Sequence, residues 1–312
     1  MDNEIRLLDA SLLDDIEKLN EISYWLKVMN RPNGWHYDLD HIWILNELKK
    51  TNTLPGSTIV DAGAGQGIMQ YLLAARGYNV ISLDFSPRTR PGHSLGIFNI
   101  VGDGNADIDY QHPYMKFISY GVNSSANIVS RLKIANLQKI PLLPRRTLKH
   151  ATSMLLYMFE RFARKHGGYG TITYLRAPFH DVPLPSEYAD AVISVSAIEH
   201  ADINLFHQNI KELSRLLKPR APLLLTTSAT TSDKNTYHEK TSGWCFSLSA
   251  LKVFFPGCKI IFDAKYCARS LIESEIFIDR LDSYYYQDKD TFCYKKRLEA
   301  LPYLPVAVKI VK

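Results

Sequence analysis

Between Asp61 and Gly67 the chain reads DAGAGQG, an acid followed by three glycines in alternate positions, directly after the apolar run of STIV. A tight turn from strand into helix needs glycine where a Cβ would block both the backbone angles and the approach of a ligand. Spacing separates the candidate ligands. A dinucleotide turn, G-x-G-x-x-G, would place its third glycine at Ile68, whereas here it falls at Gly67. A second group follows another apolar run, DAVISVS, where Glu199 and His200 stand side by side. Imidazole titrates near neutral pH, so His200 is the first candidate for a general base, with Glu199 beside it and Asp181 and His180 as further candidates in the preceding loop.

The elements that must position these groups are readable as periodicities. Thr58–Val60, NVISLD (79–84), TITYL, DAVISVS and APLLLTTS read as strands; about 68–76 and NLFHQNIKELSRLL read as helices, the latter stopped by Pro219. Strands alternating with helices predict an α/β fold with a mostly parallel sheet covered on both faces, to which KIIFDAKYC and PVAVKIV add at an edge. Residues 1–50 read as a helical cap, with Ile16, Leu19, Ile22 and Leu26 and then Leu39, Ile42, Leu45 and Leu48 at helical spacing. From about 86 to 170 the alternation stops, which predicts a large insertion after the second strand of the 51–312 domain.

The acidic-x-G-x-G-x-G turn resembles the first motif of class I S-adenosylmethionine (SAM) dependent methyltransferases. YLRAPFHDVPLPSEYADAVISVSAIEHAD and IKELSRLLKPRAPLLLTT resemble the later motifs of that family, in the family's order. The resemblance covers Ile59–Asp84 and Ile172–Ser228 and implies a Rossmann-like, seven-stranded type of sheet with SAM as cofactor. It implies that Asp61 sits near the methionine amino group and that Gly63, Ala64, Gly65, Gln66 and Gly67 run past the cofactor. Asp84 would hold the ribose hydroxyls. Phe85 and Phe179 would meet the adenine, and Ser196 would lie under the methionine moiety. The family's adenine-binding acid is replaced by Pro178, and Asp103 in FNIVGDGNAD is an alternative candidate for that role.

In the family, small-molecule O-methyltransferases share the IEH run, an aromatic N-terminal cap and an insertion, so the resemblance implies a hydroxyl acceptor, of sugar or glycan type. Trp35 and Tyr37 in GWHYD either stack on that acceptor or anchor the cap to the core; His238 and Trp244 could form a second wall. Some relatives hold a metal through Glu-x-x-Glu-His, but the aligned run here begins with Ser196, so no metal is expected.

Net charge is +5, yet the window 131–166 alone holds nine Lys or Arg against the single acid Glu160. Its charges are either solvated, or face an anionic membrane surface, or hold a phosphorylated substrate; nucleic acid ranks last because no recognised RNA-binding motif accompanies them. Cys245, Cys258, Cys267 and Cys293 lack metal or disulfide spacing and read as core thiols. With neither a membrane span nor a signal peptide in the sequence, the expected location is the cytoplasm, at most peripheral to the membrane's inner face.

Overall fold

The computed structural model describes residues 2–31, 33–86, 96–102, 145–163, 169–239, 241–280, 301 and 303–312, with only the backbone of 145–150. Asp103, Cys293, and residues 131–144 and 164–166 of the basic window lie outside the described residues.

In chain order the elements are β1 (Glu4–Leu7), α1 (Ile16–Val28), α2 (Tyr37–Lys50), β2 (Thr58–Ala62), α3 (Met69–Ala75), β3 (Asn79–Asp84) and β4 (Asn99–Gly102). They continue with α4 (Arg145–Ala163), β5 (Thr171–Arg176), β6 (Ala191–Val195), α5 (Phe206–Arg215), β7 (Pro222–Ala229), β8 (Thr236–His238) and β9 (Gly243–Phe246). The last are α6 (Leu248–Phe254), β10 (Lys259–Ile261), α7 (Ala264–Glu273), α8 (Glu275–Arg280) and β11 (Leu304–Val311).

The sheet runs β10-β1-β11-β7-β6-β2-β3-β5-β4, with β9 and β8 continuing from β7. Its centre is parallel: β2 pairs with β3 and β6, β3 with β5, and β6 with β7. Every residue of β7 is buried, as a central strand covered on both faces requires. The carboxyl ends of β2, β3 and β6 therefore open on one edge, the place where an open α/β sheet binds ligands.

Four details depart from the sequence reading. Residues 1–50 are not wholly helical, because Glu4–Leu7 forms β1 between β10 and β11. KIIFDAKYC is a strand only at 259–261; the Asp263 side chain then accepts a hydrogen bond from the Tyr266 N–H at 2.9 Å and starts α7. PVAVKIV is an inner strand rather than an edge, antiparallel to both β7 and β1. The stretch 86–170, read without strands, contributes β4, which pairs with β5, so the sheet exceeds seven strands.

Helix α2 is tied by ion pairs to the sheet and to α8. Lys309 on β11 donates to Glu47 on α2 at 3.0 Å, with the Glu47 side chain wholly buried. Arg280 clamps Asp38 through Nε and Nη2 at 2.6 and 3.0 Å. α4 packs on α1: the Ser153 hydroxyl donates to the Lys27 carbonyl, and Tyr24 and Tyr169 donate to the buried Glu160.

Candidate active site

The glycine turn is shaped by the groups around it. Gly63 has φ +74°, and a Cβ there would come 2.4 Å from the Ala197 Cβ and 2.9 Å from the Phe179 ring. A left-handed backbone is costly for a residue with a Cβ, and that contact closes the position to any of them. Gly65 also has a positive φ, +48°, and its N–H donates to Asp84 Oδ2 at 2.8 Å. Gly67 has no positive φ, and a Cβ there would come 3.2 Å from the Ala64 carbonyl oxygen, a milder contact than at Gly63, so the three glycines are not equivalent.

The buried Gln70 was not singled out in the sequence. Its amide donates to the Gly67 carbonyl at 3.0 Å while its oxygen accepts from the Ser82 hydroxyl at 2.8 Å, stapling the turn to β3. A lone polar residue in the apolar run IMQYLLAA was the available signal.

Asp84 accepts from Gly65 and, through Oδ1, from the Ser86 N–H at 2.8 Å. A carboxylate has about four lone-pair sites, so capacity for two ribose hydroxyls remains. Both Asp61 and Asp84 are buried at the strand ends and line a cavity of about 510 Å³. Gly63, Ala64, Gly65, Gln66 and Gly67 line it too, with Phe85, Phe179 and Ser196. Every cofactor residue expected from the sequence thus meets at one cavity. Phe85 is 69% exposed, whereas Phe179 is seated against Gly63.

Ser196 ends β6 with φ +43°, a conformation that costs a non-glycine residue about 1–3 kcal/mol. It is held there by its N–H to the Thr226 carbonyl at 3.1 Å and its hydroxyl to Asp40 Oδ2 at 3.3 Å. The same carboxylate oxygen lies 2.9 Å from His36 Nδ1, and both partners are buried. α2 thus reaches under the cavity through side chains that sequence reading missed.

The opposite wall of the cavity brings Tyr37 and His41 of α2 together with His200, Asp202 and Asn209. His41 Nδ1 and Asn209 Oδ1 are buried with no hydrogen-bond partner among the described residues. Burial lowers the His41 pKa below the ordinary imidazole range, with Asp40 and Asp38 opposing, so its ring is neutral near pH 7. No lysine or arginine occurs among the described lining residues.

His200 lines the cavity, and its Nδ1 lies 3.0 Å from the Ser242 carbonyl oxygen. A carbonyl only accepts, so Nδ1 carries the proton and Nε2 of the neutral ring keeps its lone pair. Glu199 lies behind this wall, 3% exposed, accepting from the Thr227 hydroxyl at 3.0 Å. Burial pushes its carboxyl up from the usual range, while His200 and the Thr227 hydroxyl pull the other way.

Of the remaining sequence candidates, His180 lines the cavity beside Phe179, and the others are not brought to it. Asp181 is exposed in the loop after β5. Trp35 is buried against Phe277 and Tyr303, the anchoring alternative of its two readings. His238 bonds Thr241 at 2.9 Å, and Trp244 packs on Tyr237. Among the described residues no group of three His, Cys, Asp or Glu is placed to hold a metal.

Residues 149–225 match the family model of a methyltransferase domain. Over that segment the chain resembles a methyltransferase domain. The matched segment holds β5, β6, α5 and the start of β7, and the glycine turn precedes it because the residues between β3 and β5 intervene.

No curated protein matches the chain. Among solved structures, a Haemonchus contortus phosphoethanolamine N-methyltransferase 2, with phosphomonomethylethanolamine and S-adenosylhomocysteine, is 14% identical (TM-score 0.47; 93% of this chain and 56% of that one). A Burkholderia thailandensis 1,6-didemethyltoxoflavin N1-methyltransferase is 9% identical (TM-score 0.39; 97% and 84%). The [4+2]-cyclase SpnF is 13% identical (TM-score 0.47; 99% and 98%). Likeness at this level passes on no substrate.

The cavity fits SAM on its own features. The turn runs along the cavity at Gly63, packed against Ala197 and Phe179, and Asp84 keeps acceptor capacity that two ribose hydroxyls would use. Asp61, Asp84 and Gly63–Gly67 are the residues that would hold it. When bound, SAM supplies an electrophilic methyl on a positively charged sulfur.

Proposed function

We propose that this domain transfers the methyl group of SAM to a hydroxyl of a small-molecule acceptor, of sugar or glycan type, with His200 as general base. The observation carrying this reading is the hydrogen bond from His200 Nδ1 to the Ser242 carbonyl, which leaves Nε2 as the basic atom of a cavity-lining ring. A hydroxyl is a poor nucleophile until its proton is withdrawn, which is where a base matters.

Nε2 of His200 takes the acceptor hydroxyl's proton, leaving the oxygen to receive the methyl that bound SAM would supply, with the methyl–sulfur bond broken and S-adenosylhomocysteine as the leaving group. The Ser242 carbonyl keeps its hydrogen bond throughout and favours the imidazolium. Glu199, behind His200, is a positioning residue, buried and held by the Thr227 hydroxyl in the wall that carries His200. His41 and Asn209 supply hydrogen-bonding atoms that find no partner among the described residues, which suits a ligand rich in hydroxyls. The absence of a lysine or arginine from the described lining favours a neutral acceptor over an anionic one. The cavity walls position the acceptor and exclude water, which supplies most of the remaining acceleration.

We place the reaction in the cytoplasm; the free thiols of Cys245, Cys258 and Cys267 suit a reducing compartment. The test measures S-adenosylhomocysteine release across a panel of free and glycosidically linked sugars, for the wild type and His200→Asn. With an active sugar, His200→Asn lowers kcat by about 10²–10⁴-fold and keeps SAM affinity. Unchanged kcat in His200→Asn would remove the base; turnover confined to amine acceptors would remove the hydroxyl.

A further inference from the structure

We propose that the outward face of α4 is a membrane-docking surface that inserts into anionic bilayers. Leu155, Met158, Phe159 and Phe162 are 68%, 57%, 64% and 69% exposed. Their spacing of three and four residues aligns them along one face of the helix. The opposite face is already used, because Ser153, Tyr157 and Glu160 are buried and packed toward α1. Four neighbouring large apolar side chains left in water form a patch of a kind that isolated soluble domains rarely carry.

Charge decides the occupant. The helix carries Arg145, Arg146, Lys149 and Arg161, and its one acid, Glu160, is buried and held by tyrosine hydroxyls. Arg161 is exposed beside the apolar face, and the exposed Lys27 lies on the neighbouring helix α1. An apolar stripe flanked by cations matches the boundary between phosphate headgroups and acyl chains, where apolar groups sink about 5–10 Å and arginines meet phosphates. A second copy of this chain would set like charges against each other along the helix. A nucleic acid would reward the cations but leave the phenylalanines and leucine in water. Among the described residues no helix is long and apolar enough to cross a membrane, so the contact is peripheral.

The experiment is sedimentation of the full chain with sucrose-loaded vesicles, either pure phosphatidylcholine or phosphatidylcholine with about one third phosphatidylglycerol. The expected result is binding to the anionic vesicles, at least about tenfold weaker on the neutral ones and weakened by added salt. Phe159→Ser/Phe162→Ser should bind the anionic vesicles about a hundredfold more weakly. Arg161→Glu should weaken binding about tenfold. Both variants should keep the wild-type melting temperature, since the replaced side chains are exposed. The proposal is overturned if wild-type protein stays in the supernatant with anionic vesicles, or if Phe159→Ser/Phe162→Ser binds as well as wild type. It is also overturned if light scattering shows a dimer that the same variant dissolves, which would make the face a self-interface. None of these readouts involves SAM or an acceptor, so the outcome is independent of the catalytic reading.

Discussion

The two walls of the cavity are built by different means. The cofactor edge, from Asp61 through the glycine turn to Asp84, takes its shape from backbone: two positive φ angles, and peptide N–H groups of Gly63 and Ala64 bonded to the Leu83 carbonyl at 2.8 and 3.1 Å. The opposite wall takes its shape from side chains far apart in sequence. Ser196 is held by Asp40, Asp40 lies against His36, and Glu47 of the same helix meets Lys309. A backbone-built wall has its tolerance set by sterics at single positions, whereas a side-chain-built wall can lose a pair and still keep its outline.

Gly63→Ala should show the largest effect. The added Cβ meets the Ala197 Cβ, which cannot rotate away, and alanine resists φ +74°. SAM affinity measured calorimetrically should fall about a hundredfold or more, while Gly67→Ala, without positive φ and with only a 3.2 Å contact to the Ala64 carbonyl, should lose less. Equal losses in the two variants would mean that the edge is not shaped at Gly63.

Lys309→Met tests the side-chain ties that hold α2 behind the other wall. It removes a cation from a wholly buried carboxylate that keeps only Lys50, at 2.6 Å. Unfolding free energy should drop by roughly 2–3 kcal/mol with SAM affinity close to wild type. Burial alone would raise the Glu47 pKa, but the hydrogen bonds from Lys50 and Lys309 outweigh it and the net shift is downward. This pair therefore stabilises the fold above the ordinary carboxylate range, and that contribution fades as pH falls. Denaturant titrations at acidic and neutral pH should show the variant's deficit shrinking in acid.

Glu199→Gln should show the smallest effect, with the opposite sign. A carboxyl whose pKa is raised on folding binds its proton more tightly in the native state, so wild-type stability falls as pH rises from the ordinary carboxylate range to the raised value. Denaturation curves from the ordinary carboxylate range upward in pH should be flatter for Glu199→Gln than for the wild type. A slope unchanged by the substitution would mean that Glu199 is charged in the folded protein.

This contrast also explains what the sequence could tell. The glycine turn and Asp84 were legible because backbone geometry is written in residue type and short spacing. The central strands were legible as apolar runs bounded by breakers. His36, His41 and Asn209 were not, since nothing local distinguishes a buried polar side chain facing a cavity from one on a solvated helix face. Trp35 and Trp244 illustrate the converse: aromatic character alone does not separate a cavity wall from a core anchor, and both pack away from the cavity. Strand β1 was hidden because four residues carry too little periodicity, and its partners β10 and β11 lie at the far end of the chain.

That strand has a consequence for how the protein is made. Leu7 pairs with Val306, so at about 5–20 residues per second the ribosome needs roughly 15–60 seconds after making β1 to deliver β11. Through that interval the nascent chain presents an unpaired strand and an uncovered flank of β7. Chaperone occupancy during synthesis should therefore persist until the final strand emerges.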